Sequence, residues 1–223
     1  MSEIFTTANI LFMIRGAGYS LLLALCAILL GGILGVACSA AKLSHSRILN
    51  AIATIYVELF RGTPMLLQIL FFFLGIPVLY QRLTGTRMNA DPYIVGALAL
   101  SFNSGAYQTE LIRAGIQGVD RGQWEACETL GIGYGTMMKE VILPQAFKRI
   151  VPPLVSEFIT LIKDSSLISN IGALELLYAA QVLGKKYYDY LDPLILAGIM
   201  YLFMTVITSW LSRKVERRLS ASD

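Results

Sequence analysis

The chain has 223 residues, 56% of them hydrophobic and only 15% charged, with a mean hydropathy of +0.63. That balance excludes an ordinary soluble domain and places the chain in a bilayer. The net charge of +3 comes from basic residues grouped beside apolar segments, so it reads as an orientation signal and not as a nucleic-acid surface.

The first segment, Gly16 to Ala41 (GAGYSLLLALCAILLGGILGVACSAA), carries no charge and exceeds the roughly 20 residues that a helix needs to span. It is also longer than the roughly 7 to 15 apolar residues of a cleaved leader. Cys26 and Cys38 lie within it and Cys127 lies far away, a pattern with no disulfide framework. The second segment runs from about Ile52 to Tyr80 and is interrupted by Glu58, Arg61 and Pro64. Glu58 and Arg61, three residues apart, share a helix face and are expected to pair, bracing the break before Gly62-Thr63-Pro64. The third segment runs from about Pro92 to Tyr107, the fourth, unusually polar, from about Val151 to Ile171, and the fifth from Leu191 to Leu211. Five spans predict an all-α membrane protein forming one transmembrane domain over residues 1–223, with its termini on opposite sides.

Basic residues choose the side. With the C-terminus inside, the inner segments hold Lys42 and Arg47, then Arg113, Arg121, Lys139, Lys148 and Arg149, then Arg213, Lys214, Arg217 and Arg218, eleven in all. The outer segments hold six: Arg15, Arg82, Arg87, Lys163, Lys185 and Lys186. The bias predicts an outside N-terminus, a cytoplasmic C-terminus and a cytoplasmic loop at about 113–149.

Within that loop, Gly122 and Gln123 lead into good helix formers that continue to Leu130, where Gly131 and Gly133 end a helix of two to three turns. Tyr134 to Val141 resumes a helix, Pro144 is expected to limit it, and Pro152 and Pro153 to open the fourth span. A short helix between two flexible corners suits a docking element.

In the fourth span Glu157 and Asp164 are seven residues apart, on one stripe and about 10 Å apart along the axis. Ionised carboxylates facing lipid are costly, so the stripe faces protein or a water-filled path. Asp164 either caps a helix after the Leu-Ile-Lys turn or lines that path; Glu157, with no basic residue three or four positions away, is assigned to the path. A carboxylate there suits the ammonium or guanidinium of an amino acid, and Gln68 and Asn103 on neighbouring spans are expected to complete the pocket.

The chain contains no G-x-x-x-x-G-K-[ST] phosphate loop, so ATP must be bound by another polypeptide. Its one histidine, His45, sits in a basic turn without clustered carboxylates, which speaks against a membrane enzyme. No duplicated half is evident, unlike many secondary transporters, and five spans are few for a complete pathway.

Glu125-Ala126-Cys127, then Gly131, then Val141-Ile142-Leu143-Pro144 resembles, in identity and spacing, the cytoplasmic loop motif of permease subunits of bacterial ATP-binding cassette (ABC) importers. YVELFRGTPMLLQ (Tyr56 to Gln68), GAYQTELIRAGIQGVDRGQWEA (Gly105 to Ala126) and KDSSL (Lys163 to Leu167) resemble segments of the polar amino-acid permeases in that superfamily. Cys127 and Val141 depart from the pattern but remain small or branched and apolar. The resemblance implies the type I ABC importer permease fold. It also implies a coupling helix, carrying Gly122, Gln123, Trp124, Glu125 and Ala126 with Gly131 and Pro144 behind it, that docks on ATPase subunits. The partners implied are those ATPases, which hold ATP and Mg, an extracytoplasmic solute-binding protein, and a second permease copy or a similar chain. The implied cargo is a polar or cationic amino acid, with a neutral amino acid or cystine as the alternative, carried across a bacterial inner membrane.

Overall fold

The computed structural model describes residues 4–220, which are helical throughout apart from short connections. Ser2 and Ser222, near the ends whose sidedness the basic residues predict, lie outside them. Helix α1 spans Thr7–Leu43. At 1.5 Å per residue its 37 residues measure about 55 Å, well beyond the roughly 30 Å hydrocarbon core. Helix α2 (Arg47–Arg61) begins at Ser46, whose hydroxyl accepts from the Leu49 N–H, and ends at Gly62. Pro64 carries no N–H and disfavours helical backbone at Thr63, so the expected interruption of the second segment falls at Gly62-Thr63-Pro64. The helix resumes as α3 (Met65–Leu70), passes a wide π-type turn at Phe71–Gly75 and continues as α4 (Ile76–Thr84).

Helix α5 (Pro92–Gln117) starts with Pro92 in its first turn and Asp91 as cap, the carboxylate accepting from the N–H groups of Tyr93 and Ile94 (2.8 and 3.1 Å). It runs ten residues past the expected Tyr107, because Leu111, Ile112 and Ile116 extend the apolar face beyond the polar cluster. Helices α1 and α5 pack side by side and parallel: Tyr19 meets Tyr93, Gly31 meets Ser101 and Gly105, and Gly35 meets Gln108 and Thr109. Between two parallel helices the chain must return to its starting end, and the broken helix of residues 47–84 makes that return. Its α2 half lies against both partners, with the Tyr56 hydroxyl donating to the Phe102 carbonyl (2.6 Å).

Short helices α6 (Arg121–Thr129) and α7 (Tyr134–Met137) follow, then a second π-type turn at Met138–Ile142 and α8 (Leu143–Asp164). Here the structure corrects the sequence reading. Pro144 ends nothing: it occupies the first turn of α8, and Pro152 and Pro153 lie inside that helix instead of opening it. The π-type turn explains the first point, since the Leu143 N–H already reaches back five residues to the Met138 carbonyl and the widened turn accommodates the ring that follows.

Helix α8 is antiparallel to α5, with Gly115 against Ile150 and Ser104 against Glu157, and Ile168, just past the end of α8, meets Gly96. A tight 3-10 turn (Ser165–Ile171) and a sharp corner lead to α9 (Leu176–Tyr187), bent 47° from the preceding helix, and α10 (Leu191–Ser220) returns along both. Thr7–Leu43, Met65–Thr84 and Leu191–Lys214 are long and apolar enough to cross a bilayer singly, and the bent pair α8–α9 passes together. α5 is more polar because its buried face carries Ser101, Asn103, Ser104, Gln108 and Thr109. The main core joins α1, α5 and the α8–α9 corner through Met13, Leu100, Ile162, Ile168 and Leu176. A second, smaller core of Ile116, Val119, Cys127, Met137, Ile142, Ala146 and Ile150 fastens α6 and α7 to the ends of α5 and α8.

Candidate functional site

Two regions gather the residues singled out above. At mid-bundle, the break after α2 directs Gln68 inward. Its amide nitrogen donates to the Phe60 carbonyl and the Thr63 hydroxyl (both 2.8 Å), and its amide oxygen accepts from Asn103 Nδ2 (2.9 Å). Asn103 also donates to the Phe60 carbonyl (3.1 Å), so the two predicted side chains meet and satisfy the backbone freed at the break. One residue along α5, the Ser104 hydroxyl donates to Glu157 Oε1 (2.9 Å) and accepts from Gln108 Nε2 (3.0 Å). Glu157 Oε2 has no donor among the described residues and no basic partner, so the half-buried carboxylate keeps one oxygen for a ligand or for water.

Asp164 ends α8 without capping it, because the helix passes directly into the 3-10 turn and leaves no free N–H within the side chain's reach. It lies half-buried on the same stripe as Glu157. Glu58 and Arg61 do not form the expected pair. Both are exposed, and the Arg61 guanidinium sits over the Tyr107 ring, 5.2 Å from its centroid. α2 ends at Arg61, so that side chain leaves the helix surface toward α5 instead of turning back along its own face. An aromatic wall of Tyr56, Phe60, Phe72 and Phe102 lines the break.

The second region is the segment from Gly118 to Ile142 at one end of the bundle. Asp120 caps α6 by accepting from the Gly122 N–H (2.8 Å). Cys127 is buried and Trp124 half-buried against the smaller core, whereas Gly122, Gln123, Glu125 and Ala126 are exposed. The departure at Cys127 therefore faces inward, where a small apolar side chain serves as an anchor. Gly131 adopts φ +68, a left-handed conformation that L side chains resist, and turns the chain back toward Ile132 and the core. Leu130 and Tyr134, 76% and 69% exposed, flank that turn.

Sequence reasoning missed the polar struts around these regions. Glu110 of α5 accepts from Lys42 of α1 (2.6 Å) and Arg113 (2.7 Å), fastening the two helices near the Gly118–Ile142 segment. Glu175, fully buried, caps α9 and accepts from Tyr201 (2.6 Å) and Ser20 (3.4 Å), tying the corner to α10 and α1. A carboxylate immediately before the apolar run Leu176-Leu177-Tyr178 was the available capping signal.

A family model described as "Binding-protein-dependent transport system inner membrane component" matches residues 27–221. The chain is 40% identical over 218 residues to the arginine transport system permease protein ArtQ of Bacillus subtilis, covering 98% of this chain and 97% of that one. It is 38% identical over 214 residues to a putative glutamine transport system permease protein GlnP of Rickettsia bellii, covering 96% and 95%. The crystal structure of an amino acid ABC transporter with histidines superposes with a TM-score of 0.86 at 37% identity, over 93% of this chain and 94% of that one. An inward-facing MetNI methionine ABC transporter gives 0.74 at 15% identity, a likeness of fold alone. Sequence and fold agree: this chain belongs to the inner-membrane components of binding-protein-dependent transport systems and has the type I ABC importer permease fold.

Proposed function

We propose that the chain is the non-catalytic permease subunit of an ATP-driven amino-acid importer. Two copies, or one copy and a similar chain, enclose the pathway, and an extracytoplasmic binding protein delivers the substrate. Partner ATPase subunits hold ATP and Mg and dock on α6, with Gly122, Gln123, Glu125 and Ala126 at the contact and Gly131 and Pro144 shaping the segment behind it. The observation that carries this reading is the display of α6: its anchors Cys127 and Trp124 face a core while its remaining surface is uncovered. ATPase closure then moves α6 and, through the helical path into α8, the spans themselves.

Glu157 is assigned to substrate recognition, with Asp164, Gln68 and Asn103 around it. The relatives are named for arginine and for glutamine, and a carboxylate with one uncommitted oxygen favours a cationic side chain. Glu157→Gln preserves shape and removes charge, an effect of about 1.5–3 kcal/mol for a charge-assisted contact. Binding of labelled arginine to the purified complex without its binding protein is expected to weaken by about 10-fold or more, and glutamine binding to change little. Undiminished arginine affinity would return Glu157 to a structural role, and tighter glutamine than arginine binding in the unmodified complex would favour a neutral cargo.

Orientation is tested with cysteines introduced at His45 and Arg87, both exposed and at opposite ends of the bundle, after removal of the native cysteines. In intact cells the Arg87→Cys variant should label with an impermeant thiol reagent and the His45→Cys variant should not; the reverse pattern would place α6 on the wrong side.

A further inference from the structure

We infer that Arg61 reads the α-carboxylate of the transported amino acid, complementing Glu157 at the other end of the same ligand. The inference rests on the amino-acid cargo proposed above and adds a specificity residue to that site.

Arg61 lies in the broken span, between the half that packs on α1 and α5 and the Met65–Thr84 half that is long and apolar enough to cross a bilayer. Arg61 is exposed in the single chain, and a guanidinium beside an apolar span is costly against lipid, so this one is expected to face a second subunit or water. Among the described residues it has no carboxylate partner; the three ion pairs are Lys42–Glu110, Arg113–Glu110 and Lys139–Glu140. What holds it is the Tyr107 ring, a contact that orients a planar cation without consuming its N–H donors. The ring contact leaves the N–H donors of the guanidinium available.

Its location follows from contacts already described. The carbonyl of the preceding residue, Phe60, is the acceptor for both Gln68 and Asn103. Tyr107 lies one turn of α5 from Asn103 and Ser104, a rise of about 6 Å and about 4.5 Å respectively, and Ser104 holds Glu157. Along α5 the order is therefore an amide pair at Asn103, a carboxylate at Ser104 and, one turn further on, a cation over Tyr107. An amino acid presents the matching groups: an α-carboxylate for a planar guanidinium, whose fork suits a bidentate carboxylate, and positive charge for Glu157. A site with Glu157 alone would attract any cation of similar size; Arg61 makes the α-carboxylate a requirement.

The experiment measures binding to the purified complex without its binding protein. The probes are the labelled L-amino acid that the unmodified complex retains most tightly and the methyl ester of that amino acid. The ester keeps every other group but removes the negative charge. The unmodified complex should bind it roughly 10- to 100-fold more weakly, the span expected of a charge-assisted contact. Arg61→Gln should shrink that ratio to within about 3-fold, chiefly by weakening the free acid. Arg61→Lys keeps the charge without the fork and should retain an intermediate ratio, and it carries the comparison if the glutamine variant does not assemble. An unmodified complex indifferent to esterification overturns the inference, as does an unchanged ratio in either Arg61 variant. A ratio that collapses in Lys163→Gln and not in Arg61→Gln overturns it as well, moving the role to the exposed lysine beside Asp164. If the unmodified complex binds no amino acid at all, the cargo proposed above falls and this assignment falls with it.

Discussion

Replacing Gly31 by valine is expected to cost the bundle at least about 3 kcal/mol, the upper range for overpacking, because the neighbours that would have to yield are backbone. A Cβ at Gly31 would stand 3.0 Å from the Gly105 nitrogen, 3.1 Å from the Ser101 oxygen and 2.9 Å from the Gln108 side-chain nitrogen. The side-chain amide can swing away, whereas the two backbone atoms belong to α5 and move only if the parallel α1–α5 pair separates. The displacement would reach the polar cluster, since Gln108 donates to Ser104 and to the Ile28 carbonyl. Gly18→Val is the control. It imposes the same β-branched helix penalty, but a Cβ there meets nothing within 4 Å. Thermal unfolding of detergent-purified protein should show a large loss for Gly31→Val and little for Gly18→Val; equal midpoints would refute the close approach.

Transport should fall at least about 10-fold in either Glu125→Lys or Gly131→Val while the protein remains in the membrane. The first variant reverses a charge on the uncovered side of α6, where no core residue depends on it. The second forces a β-branched residue into φ +68, a strain of about 1–3 kcal/mol that the chain relieves by re-aiming the turn between α6 and α7. Uptake into vesicles and copurification of the ATPase subunits are the two readouts. Normal uptake with normal copurification in both variants would remove α6 as the coupling surface.

Periodicity and composition made the apolar helices legible, and the glycines around Gly131 made the short helix legible, because those signals are local. What sequence misread were places where backbone geometry compensated for a residue's intrinsic preference. Pro144 reads as a stop, yet the π-type turn before it removes the reason to stop. The same device recurs in α4, where the Ile76 N–H reaches back to the Phe71 carbonyl immediately before Pro77. Glu58 and Arg61 read as a pair because spacing says only that they share a face; it does not say that Tyr107, 46 positions beyond Arg61 in the sequence, offers the cation another partner. Gln68 and Asn103 were expected as neighbours and are hydrogen-bonded. The serine that joins Glu157 to this cluster was not foreseen, since a serine in a helix more often bonds its own preceding turn, as Ser101 does here.

The π-type turn at Met138–Ile142 also bears on the phase of α6 relative to the spans. Each residue of an α-helix advances the chain by about 100° around the axis and 1.5 Å along it. The wide turn takes up one extra residue within about one revolution, whereas a one-residue change of length in the regular helix beside it would swing everything upstream by more than a quarter of a revolution, whatever side chains remained. The azimuth of α6 relative to the spans is therefore encoded in the number of residues between Gly133 and Pro144. That interval can tolerate changes of spelling far better than changes of length.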